Sequence, residues 1–135
     1  MRVMALDVGS KRIGVALSDP LKITAQGLQT YNRTTLEEDI AGLWKLIDEH
    51  EVSQLVVGLP KNMDGSEGFK VEEVRQFIAD LTAERQIETI WIDERLTTVS
   101  AERALLEADV SRAKRKKVID KMAAVIILQS YLDRL

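Results

Sequence analysis

Acidic side chains stand at three places where acid is costly. Asp7 closes the apolar run Val3-Met4-Ala5-Leu6, the pair Asp93-Glu94 closes Thr89-Ile90-Trp91-Ile92, and Asp120 shortly precedes the wholly apolar stretch Met122–Leu128. A carboxylate brought against an apolar core must be paired or bind a cation. Each acid alone has a plainer reading: a turn former at position 7, or at position 120 an acid favoured by a helix dipole by about 0.3–1 kcal/mol. Gly9 and Gly14 already offer turn freedom, however, and three separate segments deliver acid to one possible locus. The chain has no cysteine and one histidine, His50, which excludes a disulfide framework, a thiolate zinc site, a cysteine nucleophile and a two-histidine mechanism. Carboxylate oxygens without imidazole or thiolate are ligands for Mg²⁺ or Mn²⁺. Such ions activate water and neutralise a scissile phosphate.

The charge distribution points the same way. Over 135 residues the formal net charge is −3, which alone discourages a polyanionic partner. Residues 111–121, however, hold six basic side chains (Arg112, Lys114, Arg115, Lys116, Lys117, Lys121) against the single acid Asp120. The rest of the chain is correspondingly acidic, with 13 basic and 21 acidic residues. A basic patch on an acidic body is the footprint of a polyanion site; the alternative is a solvated, salt-screened loop.

Elements able to position these groups follow from periodicity. Residues 3–6 and Arg12–Ser18 read as two strands too close in sequence for a crossover, hence antiparallel, with a third strand inside Ile23–Tyr31. Thr35 with Glu38 is a capping-box pattern for a helix from about 36 to 50, whose apolar stripe is Leu36, Ile40, Leu43 and Ile47. Gln54–Gly58 is a short apolar run expected of a strand buried on both faces. A polar stretch to Gly68 leads into a second amphipathic helix with Val71, Val74, Ile78 and Leu81 on one face, and residues 89–92 form the next strand. Ala101–Ala108 reads as helix, the basic segment as a loop, and Val118–Leu132 as an apolar final helix. The expected fold is α/β, a mixed five-stranded sheet flanked by helices in one domain over residues 1–135. Sites in such sheets lie at the carboxyl ends of parallel strands. No apolar run approaches the roughly 18 residues of a bilayer span and no leader pattern opens the chain, so a soluble cytoplasmic protein is expected.

Four blocks carry a family resemblance. Ala5-Leu6-Asp7-Val8-Gly9-Ser10-Lys11-Arg12-Ile13-Gly14-Val15-Ala16-Leu17-Ser18-Asp19 resembles the opening signature of the YqgF/RuvX family of pre-16S rRNA nucleases. Residues 56–66, Asp93-Glu94-Arg95-Leu96-Thr97-Thr98 and residues 117–124 resemble its second, third and fourth blocks, in family order. The resemblance implies a ribonuclease H-like fold related to RuvC-type resolvases, and a cytoplasmic metal-dependent nuclease that matures the 5′ end of 16S rRNA. Its acids fall on Asp7, on Glu94 with Asp93 as the alternative, and on Asp120. Gly58 departs from the wider ribonuclease H-like pattern, in which the fourth strand often ends in an acid.

By the same reading Lys11, Arg12, Lys61 and Asn62 contact or position nucleic acid, against ordinary turn chemistry around Asp64-Gly65 as the alternative. Arg112, Lys114, Arg115, Lys116 and Lys117 deliver a phosphate backbone beside Asp120, while Arg95 neutralises its neighbouring acids. His50 is expected to bond the last carbonyls of its helix, Trp44 and Trp91 to pack, and no base-stacking platform is foreseen. The expected partner is pre-16S rRNA, with branched DNA as the alternative, no membrane, and a monomer or weak homodimer. Three competing functions stay open: an actin-like ATPase or sugar kinase, a Holliday junction resolvase, and a non-catalytic ribosome-assembly factor. The first would need a second lobe that 135 residues do not supply.

Overall fold

The computed structural model describes residues 1–62, 64–96 and 112–135, with side chains described as far as Arg95 and again from Lys121. Five strands form one sheet: β1 Arg2–Val8, β2 Arg12–Ser18, β3 Ala25–Asn32, β4 Val52–Leu59 and β5 Glu88–Asp93. Their order is β3-β2-β1-β4-β5. The first three make an antiparallel meander, while β4 pairs parallel to β1 and β5 parallel to β4. Helices α1 (Leu36–Glu49) and α2 (Phe69–Leu81) provide the connections that parallel pairing requires.

Alternation along the strands divides the core in two. Met4, Leu6, Leu55, Val57 and Leu59 face α1 and α2 and pack with Leu43, Ile47, Val71, Val74, Phe77, Ile78 and Leu81. Val3, Ala5, Val56 and Ile92 face the other way and meet Ala123, Ala124, Ile127 and Leu128. Those residues belong to α3, Arg112–Leu132, which packs across β1, β2 and β3.

Two local expectations need adjusting. The basic stretch lies on α3, since residues 112–117 are already helical ahead of Val118. Ala, Lys and Arg are strong helix formers and no glycine or proline interrupts residues 112–132. Gly14 is not in a turn either; it lies within β2, directly opposite Asp7. The segment expected to be helical at Ala101–Ala108 lies outside the described residues.

The remaining local chemistry follows the sequence. Thr35 caps α1, its hydroxyl accepting from the Glu38 amide at 3.2 Å. The Glu38 carboxylate accepts from Thr34 at 2.7 Å, so the capping box is displaced by one residue on its return side. His50 ends α1 with Nδ1 2.9 Å from the Leu46 carbonyl. Trp44 is half-buried, donating to the Leu81 carbonyl at 2.9 Å, and Trp91 lies under the Arg75 guanidinium. Among the described residues no helix is long and apolar enough to cross a membrane.

Candidate active site

The site forms at the carboxyl ends of the three parallel strands. Strand parity puts Asp7 on the face of Val3 and Ala5 and Gly58 on that of Val56, while Glu94, which opens a short 3-10 turn (Glu94–Leu96) just past β5, is placed on the same side by its approach to Gly58. All three are thereby directed to the side covered by α3, and Gly58 belongs to the middle strand. A Cβ at Gly58 would lie 3.2 Å from Glu94 Cγ and 2.5 Å from Ile127 Cδ1. The bare glycine is what lets the Glu94 side chain cross the end of β4 toward Asp7. Where the wider fold pattern has an acid on the fourth strand, this chain has an empty position with an acid reaching over it from the fifth.

Asp7 is buried, with 9% of its surface exposed. It lines a cleft of about 250 Å³ together with Glu94, Val8, Gly9, Ser10, Pro60, Lys70 and Glu73. The alternative acid is occupied elsewhere. Asp93 accepts from the Arg95 side chain, Nη2 to Oδ2 at 2.7 Å and Nε to Oδ1 at 3.1 Å, and from the Arg95 amide at 2.9 Å. These bonds, the guanidinium's first among them, hold the Asp93 carboxyl below the usual carboxylate range. Asp93 also falls on the opposite parity from Asp7. The structure therefore brings Asp7 and Glu94 to one cleft and leaves Asp93 with Arg95.

Asp120 approaches from above the sheet. Helix α3 runs antiparallel to β4: the Tyr131 hydroxyl bonds Gln54 near the start of the strand, and Ile127 covers Gly58 near its end. Its N-terminal half thus leads toward the ends of β1 and β5, and Asp120 is on that half, two turns before Ile127. Its side chain lies outside the described residues, as do those of Arg112, Lys114, Arg115, Lys116 and Lys117. Among the described residues no three His, Cys, Asp or Glu side chains are placed to hold one ion.

The expected nucleic-acid contacts divide. Lys11 is exposed on the turn after β1 and lines a larger hollow of about 720 Å³, which shares Ser10 and Glu73 with the acidic cleft. Arg12 is half-buried at the start of β2. Lys61 lies 4.0 Å from Glu67. Asn62 is engaged in the turn after β4: its side chain donates to Ser66 Oγ at 3.0 Å, and Ser66 in turn bonds Asp64. Turn chemistry accounts for Asn62. Sequence reasoning missed Lys70 and Glu73, which form the α2 wall of the cleft. Lys70 and Glu73 border the apolar stripe of α2 on its Phe77 edge, where polar residues give no periodic signal of their own.

A family model described as "RuvX: Holliday junction resolvase" matches residues 1–134. The chain is 58% identical over its full length to a Moorella thermoacetica protein named "Putative pre-16S rRNA nuclease", covering 96% of that protein. A Natranaerobius thermophilus protein of the same name is 55% identical over 99% of this chain and 95% of its own. Among solved structures, Thermus thermophilus RuvC in complex with a Holliday junction substrate superposes with a TM-score of 0.61 at 12% identity, covering 99% of this chain and 95% of that one. A fowlpox virus resolvase bound to junction DNA gives 0.55 at 10% identity, over 99% and 98% of the two chains. At such identities these structures speak for the fold, the mixed five-stranded sheet with flanking helices expected of a ribonuclease H-like domain.

Proposed function

The chain belongs to the RuvX family, and from that membership we propose that it is a divalent-metal-dependent nuclease acting on the phosphodiester backbone of pre-16S rRNA in the cytoplasm. The observation that carries the proposal is the approach of Glu94 across Gly58 to the buried Asp7, at the carboxyl ends of three adjacent parallel strands. Carboxylate oxygens lining one cleft, with no histidine or cysteine among its residues, are a donor set for Mg²⁺ or Mn²⁺. Asp7 and Glu94 would hold the ion, with Asp120 from α3 completing the set. When bound, such an ion supplies charge neutralisation at a phosphodiester and a water of lowered pKa.

The chain's own residues do the rest. Gly58 keeps space for Glu94, and the packed β1 and β4 backbones fix where the Asp7 carboxylate sits. Lys70, on the α2 wall, supplies a cation for a backbone phosphate, and Lys11 another beyond Ser10. The basic stretch of α3 brings five further positive charges next to Asp120, from Arg112, Lys114, Arg115, Lys116 and Lys117, giving affinity without base readout. A second reading, branched DNA as substrate, is favoured by the family model's own description.

The test is parallel cleavage of labelled pre-16S RNA, single-stranded RNA and four-way DNA with Mg²⁺, Mn²⁺ or chelator. Precursor RNA should be cut with metal and spared with chelator. Preferential cutting of four-way DNA would establish the second reading. Binding of RNA with no cleavage under any of these conditions would leave a non-catalytic assembly factor.

A further inference from the structure

The turn that follows Asp7 has little core of its own. Gly9, Ser10 and Lys11 are exposed, and Val8 is half-buried. Yet Val8, Gly9 and Ser10 form one wall of the acidic cleft, so the position of this turn sets the shape of the site. Within the turn the Gly9 amide donates to the Arg12 carbonyl at 2.9 Å. A Cβ at Gly9 would meet that same oxygen at 2.7 Å, so the turn closes this tightly only with glycine.

From outside, the turn is gripped by Arg33, just past the end of β3. Its amide donates to the Lys11 carbonyl at 2.9 Å, and its Nη1 to the Gly9 carbonyl at 2.9 Å. Its Nε donates to Asp39 Oδ2 at 3.0 Å. The guanidinium also stacks over the Phe77 ring, 4.7 Å from its centroid. Asp39 is fixed in turn: it is 1% exposed in the first turn of α1 and accepts from the Thr34 amide at 2.9 Å. Phe77 is buried in α2. A planar fork that bonds two oxygens in different directions while stacking on a ring is a geometry lysine cannot reproduce.

We propose that Arg33 is a positioning residue for the nuclease site, clamping the turn after Asp7 to α1 through Asp39 and to α2 through Phe77. The proposal rests on the nuclease reading for its effect on rate, and on the turn geometry alone for the clamp. Arg33 acts through the turn and touches no reacting atom; it sets where Gly9 and Ser10 stand relative to Asp7 and Glu94. A displacement of about 1 Å in such a wall is enough to cost on the order of a hundredfold in rate.

The experiment compares the parent with Arg33→Lys and Arg33→Ala in four measurements: amide hydrogen exchange, thermal unfolding, single-turnover cleavage at saturating RNA, and RNA affinity as a function of salt. Exchange at Gly9 should accelerate about tenfold or more in Arg33→Ala, while the β1 amides of Val3–Leu6 keep parent rates. Cleavage should fall about 10- to 100-fold, with Arg33→Lys in between because it can still reach one of the two oxygens. RNA affinity should stay within about twofold and its salt slope unchanged, since a clamp touches no phosphate. Weaker binding with a slope shallower by about 0.7 would make Arg33 a phosphate contact and overturn the proposal. Unchanged exchange at Gly9 would overturn it too, as would a cleavage rate equal to the parent's per folded molecule. If the parent itself proves inert, the nuclease reading fails, and the exchange result still decides whether Arg33 holds the turn.

Discussion

Asp7 carries the sharpest expectation for a single side chain. Asp7→Asn keeps the volume of the side chain but removes the charge that would hold a hard cation, so cleavage should collapse while RNA affinity stays level or rises slightly. Gly58→Ala probes the same cleft from below. Its new Cβ would meet Glu94 Cγ and Ile127 Cδ1, and overpacking of this kind costs about 1–3 kcal/mol. Thermal unfolding should register that loss, and cleavage should drop further than binding because Glu94 is displaced; a parent-like rate would remove Glu94 from the site. Arg95→Met addresses the neighbouring acid. Asp93 is held low by Arg95, so its contribution to stability is fully present above the ordinary carboxylate value of about 3.9 and fades as pH falls through the lowered value. Arg95→Met should therefore destabilise the protein at neutral pH, with the gap closing in acid, and a carboxyl NMR titration should find Asp93 moved up toward its ordinary value. Asp7 and the Asp93-Glu94 pair were legible as candidates from the cost of a carboxylate at a strand end. The preference for Glu94 over Asp93 rested on the family resemblance; in the structure Asp93, the last residue of β5, turns to Arg95, while Glu94 opens the 3-10 turn beside Gly58. What sequence could not supply was the role of Gly58, which depends on the register of β4 between two strands.

Among the elements, α3 links binding to the site. Its basic residues read as a loop because their charge outweighed their propensity: Ala113 and the Lys-Arg run are helix formers, and the apolar stripe merely begins later, at residue 123. Placing them on a helix changes the expected behaviour of a triple variant that combines Lys114→Ala, Arg115→Ala and Lys116→Ala. Alanine preserves the helix, so the variant should remain folded. Affinity for all RNA sequences should weaken together, and the salt slope should flatten by about 0.7 per lost contact. A steady slope in a salt titration would place the phosphate path elsewhere. The α1 and α2 stripes were readable because each helix buries one face. The cleft wall formed by Lys70 and Glu73 was not, because no periodic signal says that a polar face overlooks a site.

Across the fold, one sheet separates two apolar cores, and the acids gather at the end of the sheet where the parallel strands stop. The meander β1-β2-β3 contributes the Asp7 turn and the parallel half contributes Glu94, so the site depends on both halves staying in register. The carboxylates and the clustered basic segment were readable as candidates from residue types and their placement along the chain. The direction in which α3 crosses the sheet was not: the contacts of Tyr131 with Gln54 and of Ile127 over Gly58 lead its acidic residue 120 to the same end as Asp7. The decisive measurement for a carboxylate-held metal at this sheet end is single-turnover cleavage of pre-16S RNA by purified parent and Asp7→Asn, each with Mg²⁺ and with chelator. Metal-dependent cleavage by the parent alone is predicted, with both proteins binding the RNA. Equal cleavage by the two proteins, indifferent to chelator, would contradict it.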